Sequence, residues 1–119
     1  MAVAATPKRG EVWTVNFDPT IGAEIGKARP AVVIGLESIG RLPLKLVVPI
    51  TDWKPAYATY PWFVELVPSA TNGLSKPSGA DAFQVKSVSE TRFVRRLGRI
   101  TDDQVVGIAE AISLCVGAP

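Results

Sequence analysis

Glu24, Arg29 and Thr51 are the residues of this chain best suited to handling a phosphate. The stretch "EIGKARPAVVIG", Glu24 to Gly35, feeds a charged loop directly into an apolar run. Arginine resists burial without a partner. Pro30 biases Arg29 toward an extended backbone, so Arg29 is expected at a strand edge beside the loop that carries Glu24. Two readings follow. In the first, Arg29 and Glu24 form a structural ion pair and Thr51 caps a loop. In the second, the site waits for an anion: Arg29 offers two donors, the Thr51 hydroxyl a third, and Glu24 accepts a proton or orients the arginine. The segments of the three residues lie next to each other if strands 30–36 and 44–50 pair.

Composition removes other chemistries. The chain has no histidine and one cysteine, Cys115. Ser-His-Asp triads, Cys-His pairs and two-imidazole sites are excluded, and a usual zinc ligand set cannot be assembled. No Gly-rich nucleotide-cradling motif is present. Catalysis would have to run on Arg, Lys, Glu, Asp, Thr, Ser or Tyr, and no cofactor or metal is expected. The formal charge of +2 permits a nucleic-acid partner without arguing for one.

At 119 residues, 47% apolar and 20% charged, the chain reads as one globular domain over residues 1–119. Ten prolines and ten glycines favour many turns and short strands. No apolar run reaches the roughly 18 residues of a membrane span. The start "MAVAATPKRG" has no basic region ahead of its short apolar piece, unlike a signal peptide. The lone cysteine fits a reducing compartment. A soluble, cytoplasmic protein with no membrane partner is expected.

The elements that must position the candidate residues are mostly strands. "RGEVWTVNF" alternates with period 2. "PAVVIGL" and "LKLVVPI" are continuous apolar runs and read as buried strands. "PWFVELV", "ADAFQVKSV" and "VRRLGRI" read as further strands, and "SETR" as a single helical turn. Thr101 and Gln104 spell a capping box. Val105, Ile108, Ala109 and Ile112 give the helix that follows one apolar stripe. The fold class is therefore mainly β with a C-terminal α-helix, a small twisted antiparallel barrel.

Two more groups bear on function. "TDWKPAYATYPW" sets Trp53, Tyr57, Tyr60 and Trp62 around Lys54. Loop aromatics beside a basic residue suit base stacking on single-stranded nucleic acid, with Trp62 expected in the core. "TRFVRRLGR" puts Arg95 and Arg99 on one strand face and Arg96 on the other, as a phosphate-contacting edge or a solvated one.

In order, "RGEVWTVNFDPTIGAEIGKARPAVVIG", "VVPIT" and "FQVKSV" closely resemble the MazF/PemK toxin family over nearly the whole chain. The resemblance implies the SH3-like barrel of the plasmid-maintenance toxins. It implies a homodimeric, sequence-selective, ribosome-independent endoribonuclease for single-stranded RNA. It also implies a cognate antitoxin that lays a disordered segment across the RNA site. By motif, Arg29 and Thr51 match key catalytic residues, Glu24 matches the acid of the first loop, and Lys86 matches a basic position near the groove. Relatives usually carry an acid just before the Gln of "FQVKSV"; here that position is Phe83, with Asp81 two residues earlier as the nearest substitute. Lys54, Trp53, Lys86 and Asp81 are the expected RNA contacts.

With neither metal nor histidine, the expected route is attack of the ribose 2′-hydroxyl on its own phosphate. The products are a 2′,3′-cyclic phosphate and a 5′-hydroxyl. Arg29 and Thr51 would meet the added negative charge of the transition state. Glu24 is a better base than an arginine whose pKa exceeds about 12, and Arg29 or Lys86 would serve as the acid. The same barrel also carries toxins that inhibit DNA gyrase by binding alone. In that alternative Arg29 and Thr51 are structural.

Overall fold

The computed structural model describes residues 6–40 and 42–119. The apolar piece at residues 2–5 lies outside them. The described residues form a mainly β structure with a C-terminal helix, as expected, in seven antiparallel strands rather than six: β1 (Glu11–Asn16), β2 (Ala28–Val33), β3 (Leu44–Asp52), β4 (Phe63–Leu66), β5 (Ser78–Asp81), β6 (Lys86–Ser89), β7 (Phe93–Arg99) and α1 (Asp102–Cys115). The spatial order is β4-β5-β3-β2-β1-β7, with β6 also paired to β3.

The central strand is β3. One of its edges takes β2, and the other takes β6 along residues 44–47 and then β5 along residues 50–52. Pro49 lies where β3 has passed β6 and not yet met β5. A residue with no N–H interrupts no ladder there.

The unbroken apolar runs of β2 and β3 are explained by burial on both faces. On one face Val12, Val32, Val48 and Ile50 pack with Leu66, Ala80 and the helix residues Val105 and Ile108. On the other, Trp13, Val15, Phe17, Ala31, Val33 and Val47 pack with Val88. The helix starts as its sequence predicts: Thr101 accepts from the Gln104 amide and Gln104 reaches back to the Thr101 amide. Its buried stripe is Val105, Ile108 and Ala111, so Ala111 rather than Ala109 faces the sheet most directly.

One strand expectation fails. "ADAFQVKSV" is not continuous: β5 ends at Asp81, a 3₁₀ turn spans Ala82–Gln84, and β6 starts at Lys86. The Asp81 carboxylate caps this turn by accepting from the Phe83 amide at 3.1 Å. A side chain that satisfies a nearby backbone donor competes with the ladder, and period-2 counting does not see it. The "SETR" turn is present at Glu90–Arg92.

Candidate active site

Strands β2 and β3 pair Ala31 with Pro49, Val32 with Val48 and Val33 with Val47. Each pair of numbers sums to 80. Continuing that register sets Arg29 opposite Thr51. The segments meet as the sequence demanded, with both residues half-buried.

The ion-pair reading does not hold. Among the described residues no carboxylate pairs with Arg29. Its Nε donates instead to the Gly26 carbonyl at 2.9 Å. Glu24 spends one carboxylate oxygen within its own loop, accepting from the Ile21 amide at 2.7 Å. A carbonyl anchor orients the guanidinium without neutralising it, so the two Nη groups stay available as a fork. The Thr51 hydroxyl makes no hydrogen bond among the described residues, which leaves it free to donate.

Arg29 and Thr51 line one hollow of about 460 Å³ with Thr14, Lys27, Lys76 and Arg95. Lys76 is matched by Asp52 at 3.1 Å, so the uncompensated charge there comes from Lys27, Arg29 and Arg95. Arg95 arrives because β7 pairs it with Thr14 of β1. The basic edge that the sequence left open thus borders the Arg29 hollow, while Arg96 is drawn away to Glu11 at 3.0 Å. Lys27 had no sequence signal of its own; its chain turns through φ 66° directly before β2.

A second hollow of about 450 Å³ is lined by Glu24, Ile25, Pro49, Phe83, Gln84 and Lys86. Pro49 and Thr51 share one face of β3, whereas the first hollow also takes in Thr14, Pro30 and Ile50 from the opposite face, so the two hollows adjoin the same strand without sharing one face. The Lys86 ammonium lies 5.8 Å from the centre of the Phe17 ring. Glu24 and Lys86 therefore flank the Arg29–Thr51 pair and do not share its hollow.

Asp81 does not reach either hollow. It is 6% exposed, and its carboxylate accepts from the Phe83 amide and from Gln84 Nε2 at 3.2 Å. Burial pushes its pKa up from the usual carboxylate range, with those hydrogen bonds pulling partly back. The expectation that Asp81 contacts RNA is corrected on that ground. The turn that splits the strand sends Phe83 outward, 70% exposed, and Asp81 inward.

Trp53 stands beside Thr51. Thr51 pairs with Gly79 across the β3–β5 ladder. Any Cβ at Gly79 would come within 2.9 Å of the Trp53 ring. Trp53 also meets Tyr57 edge-on, 5.8 Å between centroids. Lys54 is exposed and unpaired among the described residues. Trp62 is not core as expected: it is half-buried and stacks on Tyr60 at 4.9 Å with the rings 3° from parallel, and Phe83 lies 6.4 Å away. The aromatics form a surface band leading from β3 toward the second hollow.

Among the described residues, no helix is long and apolar enough to cross a membrane. Residues 8–116 match the profile of the PemK-like, MazF-like toxins of type II toxin-antitoxin systems. Endoribonuclease MazF9 of Mycobacterium tuberculosis is 33% identical over 113 residues, covering 90% of this chain and 93% of that protein. Endoribonuclease EndoA of Bacillus subtilis is 23% identical over 107 residues, covering 90% of this chain and 91% of that one. The crystal structure of MazF from Deinococcus radiodurans superposes with a TM-score of 0.79 at 25% identity, over 96% of this chain and 99% of that one. A profile match over nearly the full length, together with these relatives, places the chain in the family of PemK-like, MazF-like toxins of type II toxin-antitoxin systems.

Proposed function

We propose that this protein is a cytoplasmic, ribosome-independent endoribonuclease that cuts single-stranded RNA at selected sequences. The whole chain acts as one toxin domain. The observation that carries this is the Arg29 guanidinium, anchored through Nε to the Gly26 carbonyl, paired with no carboxylate among the described residues, and sharing one hollow with Thr51. The endoribonuclease relatives support the reaction class.

The reaction balances without a co-reactant. The ribose 2′-oxygen forms a bond to the adjacent phosphorus while the bond from phosphorus to the 5′-oxygen breaks. Glu24 takes the 2′-hydroxyl proton. The leaving 5′-oxygen takes a proton from Arg29 or Lys86. A 2′,3′-cyclic phosphate and a 5′-hydroxyl result. The Arg29 fork and Thr51 donate to the phosphoryl oxygens as their charge rises, and losing one such donor costs about 10²–10³ in rate. Lys86 and Lys54 hold flanking phosphates, and Trp53 stacks on a base.

A homodimer is part of this reading. Leu36, Ile39, Leu42, Leu44 and Leu46 are exposed around a hollow of about 520 Å³, an apolar face of the kind a second copy covers. The partner is a cognate antitoxin, as in the mycobacterial endoribonuclease solved with its own, which matches here with a TM-score of 0.74 at 19% identity. An RNA with a single 2′-deoxyribose at the cut position tests the chemistry. It should resist cleavage at that position alone, and cutting there at the normal rate would rule out the 2′-hydroxyl as nucleophile.

A further inference from the structure

The loop between β1 and β2 carries Glu24 and the Gly26 carbonyl that anchors Arg29. Its ends are fastened: the Lys27 amide donates to Asp18 Oδ1 at 2.8 Å, and Arg92 reaches the Asp18 carbonyl. Its middle has one fastening. Among the described residues, the only hydrogen bond from 19–25 to the rest of the fold runs from the Ile25 amide to Gln84 Oε1, at 2.7 Å across 59 positions of sequence.

Gln84 is itself held from below. Because Ile25 N–H can only donate, the side-chain oxygen of Gln84 must face it, which turns Nε2 toward Asp81. The Asp81 carboxylate accepts there at 3.2 Å and accepts from the Phe83 amide with its other oxygen. A continuous relay results. It runs from a buried carboxylate through Gln84 to Ile25, and through the next residue's carbonyl to Arg29 Nε.

We propose that Gln84 and Asp81 are positioning residues for catalysis, a buckle that fixes the Glu24–Gly26 segment so that Arg29 and Glu24 meet the scissile phosphate in a reactive arrangement. The proposal rests on the RNA-cleavage reading above. A surface loop pinned only at its ends moves, and a displacement of about 1 Å near the chemistry can cost about 10²-fold in rate. Asp81 is unsuited to touching substrate because it is buried. Its role is to present a pure acceptor to the Gln84 amide.

The polarity of the relay makes a sharp test. Asp81→Asn sets two NH₂ groups against each other, and Gln84→Glu sets two carboxylates against each other. The double variant D81N/Q84E reverses the donor and acceptor: the new amide at 81 donates to the new carboxylate at 84, whose other oxygen still accepts from Ile25. Each single variant should lose about tenfold or more in kcat with KM within about twofold, and the double variant should recover to within about threefold of wild type. Exchange of the Ile25 amide hydrogen, read by NMR, should be slow in wild type and the double variant and fast in both singles.

Exchange needs no substrate. Should the wild-type chain cut no RNA at all, the cleavage reading fails while the exchange pattern still decides the buckle. The buckle is overturned if the single variants keep wild-type kcat or if the double variant is no better than the worse single. It is also overturned if KM rises with kcat unchanged, which would make Gln84 a direct RNA contact, or if Ile25 exchange is the same in all four proteins.

Discussion

Arg29 Nε donates to the carbonyl of Gly26, three residues earlier in the chain, at 2.9 Å. The acid of the same loop, Glu24, does not compensate it. The arginine is thereby aimed but still charged, which is the condition an anion site needs and an ion pair removes.

Arg29→Lys keeps the charge and loses the planar fork and the Nε anchor. The variant should fold and assemble as wild type and cleave RNA at least about tenfold more slowly. Single-turnover rates beside a circular dichroism melt would check this. Equal rates would mean that charge alone suffices, and an unfolded variant would mean that the anchor is structural.

Gly26→Ala tests the anchor from the other side. A Cβ there would meet Thr20 Oγ1 at 2.6 Å and Asp18 Oδ1 at 2.8 Å. Asp18 cannot yield freely, because the same oxygen holds the Lys27 amide. The carbonyl that orients Arg29 must shift. Activity should fall about tenfold or more, while the melting temperature drops by only a few degrees. A large drop in melting temperature with the cleavage rate preserved would contradict this.

Acid sensitivity has a locatable source in Glu11. Burial pulls its pKa upward, but hydrogen bonds from Trp13 Nε1 and the Lys8 amide, with Arg96 alongside, outweigh that and hold it below the usual glutamate range. A group with a lowered folded-state pKa contributes stability above its unfolded pKa and loses it as pH falls through the folded one. Asp81, with its raised pKa, acts in the opposite sense, but it is common to both proteins compared. Glu11→Gln should therefore cost about 1 kcal/mol or more near pH 7. The gap to wild type should narrow as pH falls through the ordinary glutamate range and on through the lower folded-state value. Urea unfolding at several pH values reads this directly, and a gap that widens in acid would reverse the assignment.

An inhibitor that occupies these hollows must answer Lys27, Arg29, Lys86 and Arg95 with acid, and the band from Trp53 to Phe83 with large apolar side chains. The antitoxin's affinity should fall with salt, and an uncleavable RNA should compete with it. Simultaneous binding without mutual loss of affinity would locate inhibition elsewhere.

Much of this was legible in the sequence because the signals were local. The capping box, the two-sided apolar runs of β2 and β3 and the Arg29–Pro30 step each dictate their own conformation. What stayed hidden depended on side chains crossing between elements. Asp81 capping its own turn breaks a pattern that alternation would continue. Gln84 gains its role only when β5 and β6 bring it under a loop 59 residues away. Trp62 has the composition of a core residue, yet its nearest flat surface is Tyr60, so it stacks outside.

The three tryptophans occupy two optical environments. Trp13 is 6% exposed, with its N–H on a carboxylate and its ring edge-on to Phe93. Trp53 and Trp62 are half-buried beside the candidate RNA path. Unlabelled protein thus carries one blue-shifted emitter reporting the intact fold and two longer-wavelength emitters reporting whatever lies across the site. Iodide should dim only the second population, and a bound strand should shield it.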